Sequence, residues 1–209
     1  MARKAKVANR EKTARQTPDS SASLRKHLVE LLKGGEAHVG ISDALADFPA
    51  DKRATAAQGF EHTAWQLLEH IRIAQWDILE FSRNPKHVSP DFPDGYWPKV
   101  SASPDDAAWK RSVHAVQNDL RAMIDLVSDP RVDLYARFPW GDGQTLLREA
   151  LLLADHNAYH VGQMVDLRRA LGRNKKTKER QRAARTWRRG TRIGNKYPGQ
   201  LQESEMALG

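Results

Sequence analysis

An all-α fold, built as a four-helix bundle, is what this sequence predicts. Apolar residues recur at three- and four-residue intervals in four separate segments, and no segment alternates apolar and polar residues as a half-buried strand would. Each segment is also bounded by residues that start or stop helices.

The first segment runs from about Leu24, with Leu24, Leu28, Leu31 and Leu32 on one side, and meets Gly34-Gly35. A short helix is expected from Ser42 to Asp47, closed by Pro49. The second long helix opens at Thr63, with Gln66 three residues on as in a capping box, and continues through WQLLEHIRIAQWDILEF. Ser103-Pro104-Asp105-Asp106 supplies an N-cap, a first-turn proline and early acids for the third, whose stripe is Trp109, Val113, Val116, Leu120, Ile124 and Val127. Asp129-Pro130 ends it. The fourth starts near Thr145 and runs to Leu171, with Gly172 placed as its C-terminal cap. Between the second and third, the connection from Asn84 to Pro104 holds five prolines and is long enough to travel the length of a helix, so these two helices can run parallel. A long ordered connection is often functional, and its aromatics Phe92, Tyr96 and Trp97 are candidates to contact substrate; a plain crossover sealing one end of the core explains them equally well.

With 209 residues and 40% hydrophobic content, the chain suits one full core. It has no cysteine, so neither a disulfide nor a protein thiol enters its chemistry. The longest apolar run is Ala150 to Ala154 and the first twenty residues are polar and basic, which points to a soluble cytoplasmic protein with no membrane span. The formal charge of +8 is unevenly spread. Residues 1–16 carry +5 and residues 173–209 carry +8, leaving residues 17–172 at −5. The expected organisation is therefore a folded domain over 17–172 between two basic, disordered tails. In the second tail, Lys175, Lys176, Arg185, Trp187, Arg188 and Arg189 are candidates for contact with nucleic acid, against the simpler role of a solubilising extension.

The fourth segment contains LLLADHNAYHVGQM, with His156 and His160 four residues apart. At about 100° per residue, His160 falls about 20° from Leu153 on the apolar face centred on Leu146, Leu153, Met164 and Leu171, and His156 about 40° further round. A lone inward histidine is usually a hydrogen-bonded core residue. Two at this spacing let both rings converge on one ion at about 2.0–2.1 Å from each nitrogen. The pair is not an HExxH motif, since Asn157, Ala158 and Tyr159 offer no carboxylate base. A third ligand must come from another helix, and His70 borders the apolar arc of the second. His62 precedes that helix and on its wheel points away; His114 lies off the stripe of the third; His27 belongs beside Leu24 and Leu31, partly buried. His38 stays a pocket or substitute candidate. Three histidines leave open coordination positions, which suits catalysis with zinc, nickel or iron(II). Gln163, one turn beyond His160, is placed to orient a ligand imidazole or a substrate, and Asp77, two turns beyond His70, to act as an outer acceptor.

HTAWQLLEHIRIAQWDILEF in the second helix and ADHNAYHVGQMVDLRRALG in the fourth resemble the DinB-like (DNA-damage-inducible) superfamily, whose hallmark is a helix-2 histidine and an HxxxH followed by Gly-Gln. The likeness covers roughly residues 20–172. It implies an up-down-down-up bundle and a divalent-metal site on His70, His156 and His160, with Gly162-Gln163 as the Gly-Gln. In characterised branches it further implies transfer or isomerisation with a low-molecular-weight thiol such as bacillithiol, mycothiol or glutathione. The leading expectation is a metal-dependent enzyme activating a thiol, or water, against a small electrophile, with a homodimer as a candidate assembly. The alternative is a stress-associated nucleic-acid-binding protein acting through its tails, its metal structural or absent.

Overall fold

The computed structural model describes residues 18–46, 48–99 and 105–172, and among them the fold is all-helical. Five α-helices, α1 (Pro18–Lys33), α2 (Ile41–Leu45), α3 (Ala64–Arg83), α4 (Asp106–Ser128) and α5 (Leu146–Ala170), account for the four predicted long helices and the short one. All belong to the first of two compact units, Met1–Leu171. The second, Gly172–Gly209, lies outside the described residues apart from Gly172, as do residues 1–17 and with them both basic tails. No described helix is long and apolar enough to cross a membrane.

Helix directions follow from the bonds between them. Ser112 donates to the Glu69 carboxylate and Gln75 Nε2 to the Val116 carbonyl, so later residues of α3 meet later residues of α4 and the two are parallel. Asn157 Nδ2 donates to Gln75 Oε1, while Trp140, just ahead of α5, donates to the Phe81 carbonyl near the end of α3, so α3 and α5 are antiparallel. Arg25 in α1 reaches the Val127 and Val132 carbonyls at the end of α4. Leu147 N donates to Leu134 O, so α5 begins at that same end, and Arg168 near its close reaches the Ala46 carbonyl beyond α2. The order is thus up-down-down-up, with α1 and α3 each packed between α4 and α5.

The core is leucine-rich. Leu28 and Leu32 from α1, Leu67, Leu68, Ile71 and Leu79 from α3, Val116, Leu120, Met123 and Val127 from α4, and Leu146, Leu153, Met164 and Leu167 from α5 are all buried in one cluster. In the predicted α4 stripe, Trp109, Val116, Leu120 and Val127 are buried, whereas Val113 and Ile124 are partly buried at its edge. The Thr63–Gln66 capping box forms in both directions. Gly172 takes φ +93°, the left-handed conformation a helix-ending glycine adopts without a Cβ clash.

Three local expectations are corrected. α1 begins at Pro18, more than a turn before Leu24, because a proline with no amide hydrogen to satisfy opens a helix as well as a leucine does. α2 ends at Leu45 with Ala46 extended, and Asp47, its expected end, lies outside the described residues. The cap of α4 is Asp105 rather than Ser103: its carboxylate accepts the Ala108 amide at 2.6 Å, and a charged acceptor there also meets the positive end of the helix dipole.

Candidate metal centre

Three imidazoles meet where α3 crosses the middle of α5. One ring nitrogen from each of His70, His156 and His160 lies within 4.8 Å of the others, the only such group of metal-ligating side chains among the described residues. The antiparallel pairing of α3 and α5 brings His70 opposite the middle of α5, and the four-residue spacing turns His156 and His160 toward it together.

Hydrogen bonds on the outer side of the rings set which nitrogen faces inward. His70 Nδ1 lies 2.9 Å from the Tyr96 carbonyl and His160 Nδ1 lies 2.7 Å from Gln163 Oε1; both partners are acceptors, so each Nδ1 carries the proton and each Nε2 keeps its lone pair. His70 Nε2 and His156 Nε2 are 3.1 Å apart. Nδ1 of His156 is buried with no bond of ordinary geometry, and so is Oδ1 of its neighbour Asn157. A proton on that Nδ1 makes the two atoms complementary and leaves His156 with an inward lone pair like the others. Three neutral rings presenting Nε2 lone pairs to one point is a donor set suited to a single divalent cation.

Burial keeps these rings neutral. It is the largest influence on all three; it holds His156 down at about 4, reinforced by the proximity of His160 and His70, and His160 at about 4, partly opposed by the Gln163 bond. His70 is lowered by burial as well, against the Tyr96 carbonyl. Because these folded-state values lie below the ordinary 6.5, the unfolded chain takes up protons first. The contribution of these rings to the stability of the metal-free fold is therefore fully present above about pH 6.5 and is lost as pH falls toward 4. Protons should likewise compete poorly for the site. Cobalt(II) affinity is expected to fall less than about tenfold between pH 7.5 and 5.5, where three ordinary histidines would lose roughly a thousandfold. A thousandfold loss in a pH series of cobalt titrations would show that the rings titrate as exposed imidazoles.

A cleft of about 690 Å3 opens beside the centre, with His160, Gln163, Gly162, Tyr159 and Asp166 of α5 on one side and Gly59–His62, Leu67 and Trp97 on the other. His160 is 6% exposed and its Nε2 has no hydrogen-bond partner among the described residues. Of the crossover aromatics, Trp97 alone lines the cleft. Its indole stacks on His70 at 4.0 Å and on His62 at 3.9 Å between ring centroids. Tyr96 is half-buried, its hydroxyl donating to Asp77 Oδ2 at 2.6 Å, and Phe92 is 86% exposed. Asp77 does not reach His70; its second oxygen meets His87 Nε2 at 2.7 Å.

His62 is a correction. It was expected to point away from the bundle, but it stands before the first residue of α3, where the backbone is not helical and a helical wheel does not apply; it lies in the cleft wall. His27 is another: instead of packing in the core it is exposed and pairs with Glu30 at 3.0 Å, because Leu28 and Leu32 take the inward face of α1. His38 is exposed in the loop after α1, its Nδ1 donating to the Val39 carbonyl, and is no part of the cluster. His114 is exposed on α4, as its position off the stripe implied. Lys175, Lys176, Arg185, Trp187, Arg188 and Arg189 lie outside the described residues.

An up-down-down-up bundle with three histidines converging between two of its helices defines a class: all-α proteins with a candidate divalent-metal centre. The chain belongs to the DinB superfamily, whose family model matches residues 37–164, a span that includes all three histidines and Gln163. No curated protein and no solved structure matches the chain.

Proposed function

We propose that the protein is a metal-dependent enzyme in which His70, His156 and His160 hold one divalent cation, of the zinc, nickel or iron(II) kind, beside a cleft that admits a small electrophilic substrate. The observation that carries this reading is that the three inward nitrogens belong to rings held neutral and pre-oriented, with His160 forming part of the wall of a cleft of small-molecule size. A cation held there lowers the pKa of a bound thiol or water into the neutral range. The chain contributes the rest. Tyr96 and Gln163 fix two of the rings, Trp97 covers one side of His70, and His62, stacked on Trp97, completes that part of the cleft wall. With no cysteine in the sequence, any thiol in the reaction comes from a small molecule, and thiol S-transfer is the reaction type proposed.

The cobalt(II)-loaded protein tests it. Glutathione or 2-mercaptoethanol should add a thiolate-to-metal absorption band in the near ultraviolet, and the loaded protein should conjugate that thiol to a chromogenic electrophile. A loaded protein whose spectrum ignores every thiol, and which also fails to hydrolyse activated esters, would retain its metal and lose this mechanism.

The segregation of charge supports a second, separable reading of the tails. If residues 173–209 contact nucleic acid, their removal should weaken duplex binding and flatten its dependence on salt, since each lost phosphate contact removes a released counterion. Equal binding by the full chain and residues 17–172 across salt concentrations would assign the tails no such role.

A further inference from the structure

The crossover that follows α3 grips the centre at one residue and is itself gripped by another. His70 is held by two successive crossover residues, its Nδ1 by the Tyr96 carbonyl and its face by the Trp97 indole, whose plane is within 3° of parallel. The crossover is in turn fixed by Asp77, seven residues and two turns along α3 from His70 and therefore on nearly the same side. Asp77 is 8% exposed, and both its oxygens are taken by crossover residues, one by His87 and the other by the Tyr96 hydroxyl. Between them the chain turns tightly through Asp94–Tyr96, where Gly95 comes so close to Pro90 that a Cβ would sit 2.7 Å from the proline side chain. Tyr96 thus spans the gap: its hydroxyl is anchored at Asp77 and its carbonyl anchors His70.

We propose that Asp77 and Tyr96 are positioning residues for the histidine centre, so that docking of the crossover and loading of the metal favour one another. This rests on the metal-site reading above. With the crossover docked, His70 has one tautomer and one orientation, its Nε2 lone pair facing His156 and His160. With it undocked, Nδ1 loses its acceptor and the ring is free to rotate and exchange tautomers. Because linkage is reciprocal, metal that binds the docked form must also hold the crossover down. An outer partner of a ligating histidine commonly contributes ten- to a hundredfold to metal affinity. Here the effect would be relayed through one residue from a carboxylate that touches no ligand.

Tyr96→Phe removes only the anchoring oxygen and keeps the ring and the backbone carbonyl, and Val88→Ala, on an exposed part of the same crossover, serves as control. In the metal-free protein, imidazole nitrogen NMR should show His70 protonated at Nδ1 in the unmodified chain and in Val88→Ala, and a mixture of tautomers in Tyr96→Phe. Cobalt(II) titration should give Tyr96→Phe an affinity about ten- to a hundredfold lower, with Val88→Ala unchanged. An unaltered His70 tautomer in Tyr96→Phe overturns the proposal whatever the metal does, and so does an altered tautomer with unaltered cobalt affinity. Failure of the unmodified chain to bind cobalt refutes the metal-site reading, and with it the linkage to metal, whereas the tautomer measurement still decides whether Tyr96 positions His70.

Discussion

His160→Ala is expected to lower divalent-metal affinity at least a hundredfold and to abolish metal-dependent turnover. The ring is one of only three inward nitrogen donors, its orientation is fixed by Gln163, and no fourth histidine or carboxylate lies near enough to substitute among the described residues. Losing a direct ligand should cost more than the ten- to hundredfold associated with an outer partner. The fold should survive, because the ring is neutral and its loss leaves no buried charge. Gln163→Ala should give a smaller loss, confined to the orienting contact. Cobalt titrations of the two variants beside the unmodified chain check both. A His160→Ala protein that keeps full affinity would make this histidine a core residue.

Gln75→Ala should destabilise the fold by about 3–5 kcal/mol, a large share of the roughly 5–15 kcal/mol that holds a domain together. Gln75 is 0% exposed and ties three helices, its amide donating from α3 to the Val116 carbonyl of α4 and its oxygen accepting from Asn157 of α5. Alanine leaves a cavity and strands the Asn157 amide nitrogen. Gln75→Leu restores most of the volume and should cost about half as much, which separates packing from hydrogen bonding. Urea unfolding with an unchanged slope reads both. A change below about 1 kcal/mol for the alanine variant would mean that this buried polar layer relaxes or takes in water.

The same polar layer marks how far sequence alone could reach. Leucines at helical spacing, the Thr63–Gln66 box and the stripe from Trp109 to Val127 are local signals, and the helices they imply are the helices present. His156 and His160 were legible for the same reason, since a regular helix converts a four-residue interval into a direction. Gln75 carries no such signal: a glutamine in an amphipathic helix reads as a surface residue until two other helices are in place around it. His62 lies before the Thr63 N-cap, where no helical wheel gives a direction. Asp77 was legible as an acid on nearly the same side of its helix as His70, but its partners, Tyr96 and His87, come from a crossover whose path has no periodicity to read. What the histidines do together depends on contacts between segments far apart in sequence, and only the pairing of α3 with α5 supplies these.

The measurement that bears most directly on the central claim is anomalous diffraction from crystals of the unmodified protein grown with zinc or cobalt. One ion per chain is expected, about 2.0–2.1 Å from Nε2 of His70, His156 and His160, with at least one remaining coordination position open toward the cleft. An ion bound elsewhere, or three histidines hydrogen-bonded to one another with no ion between them at saturating metal, would contradict it.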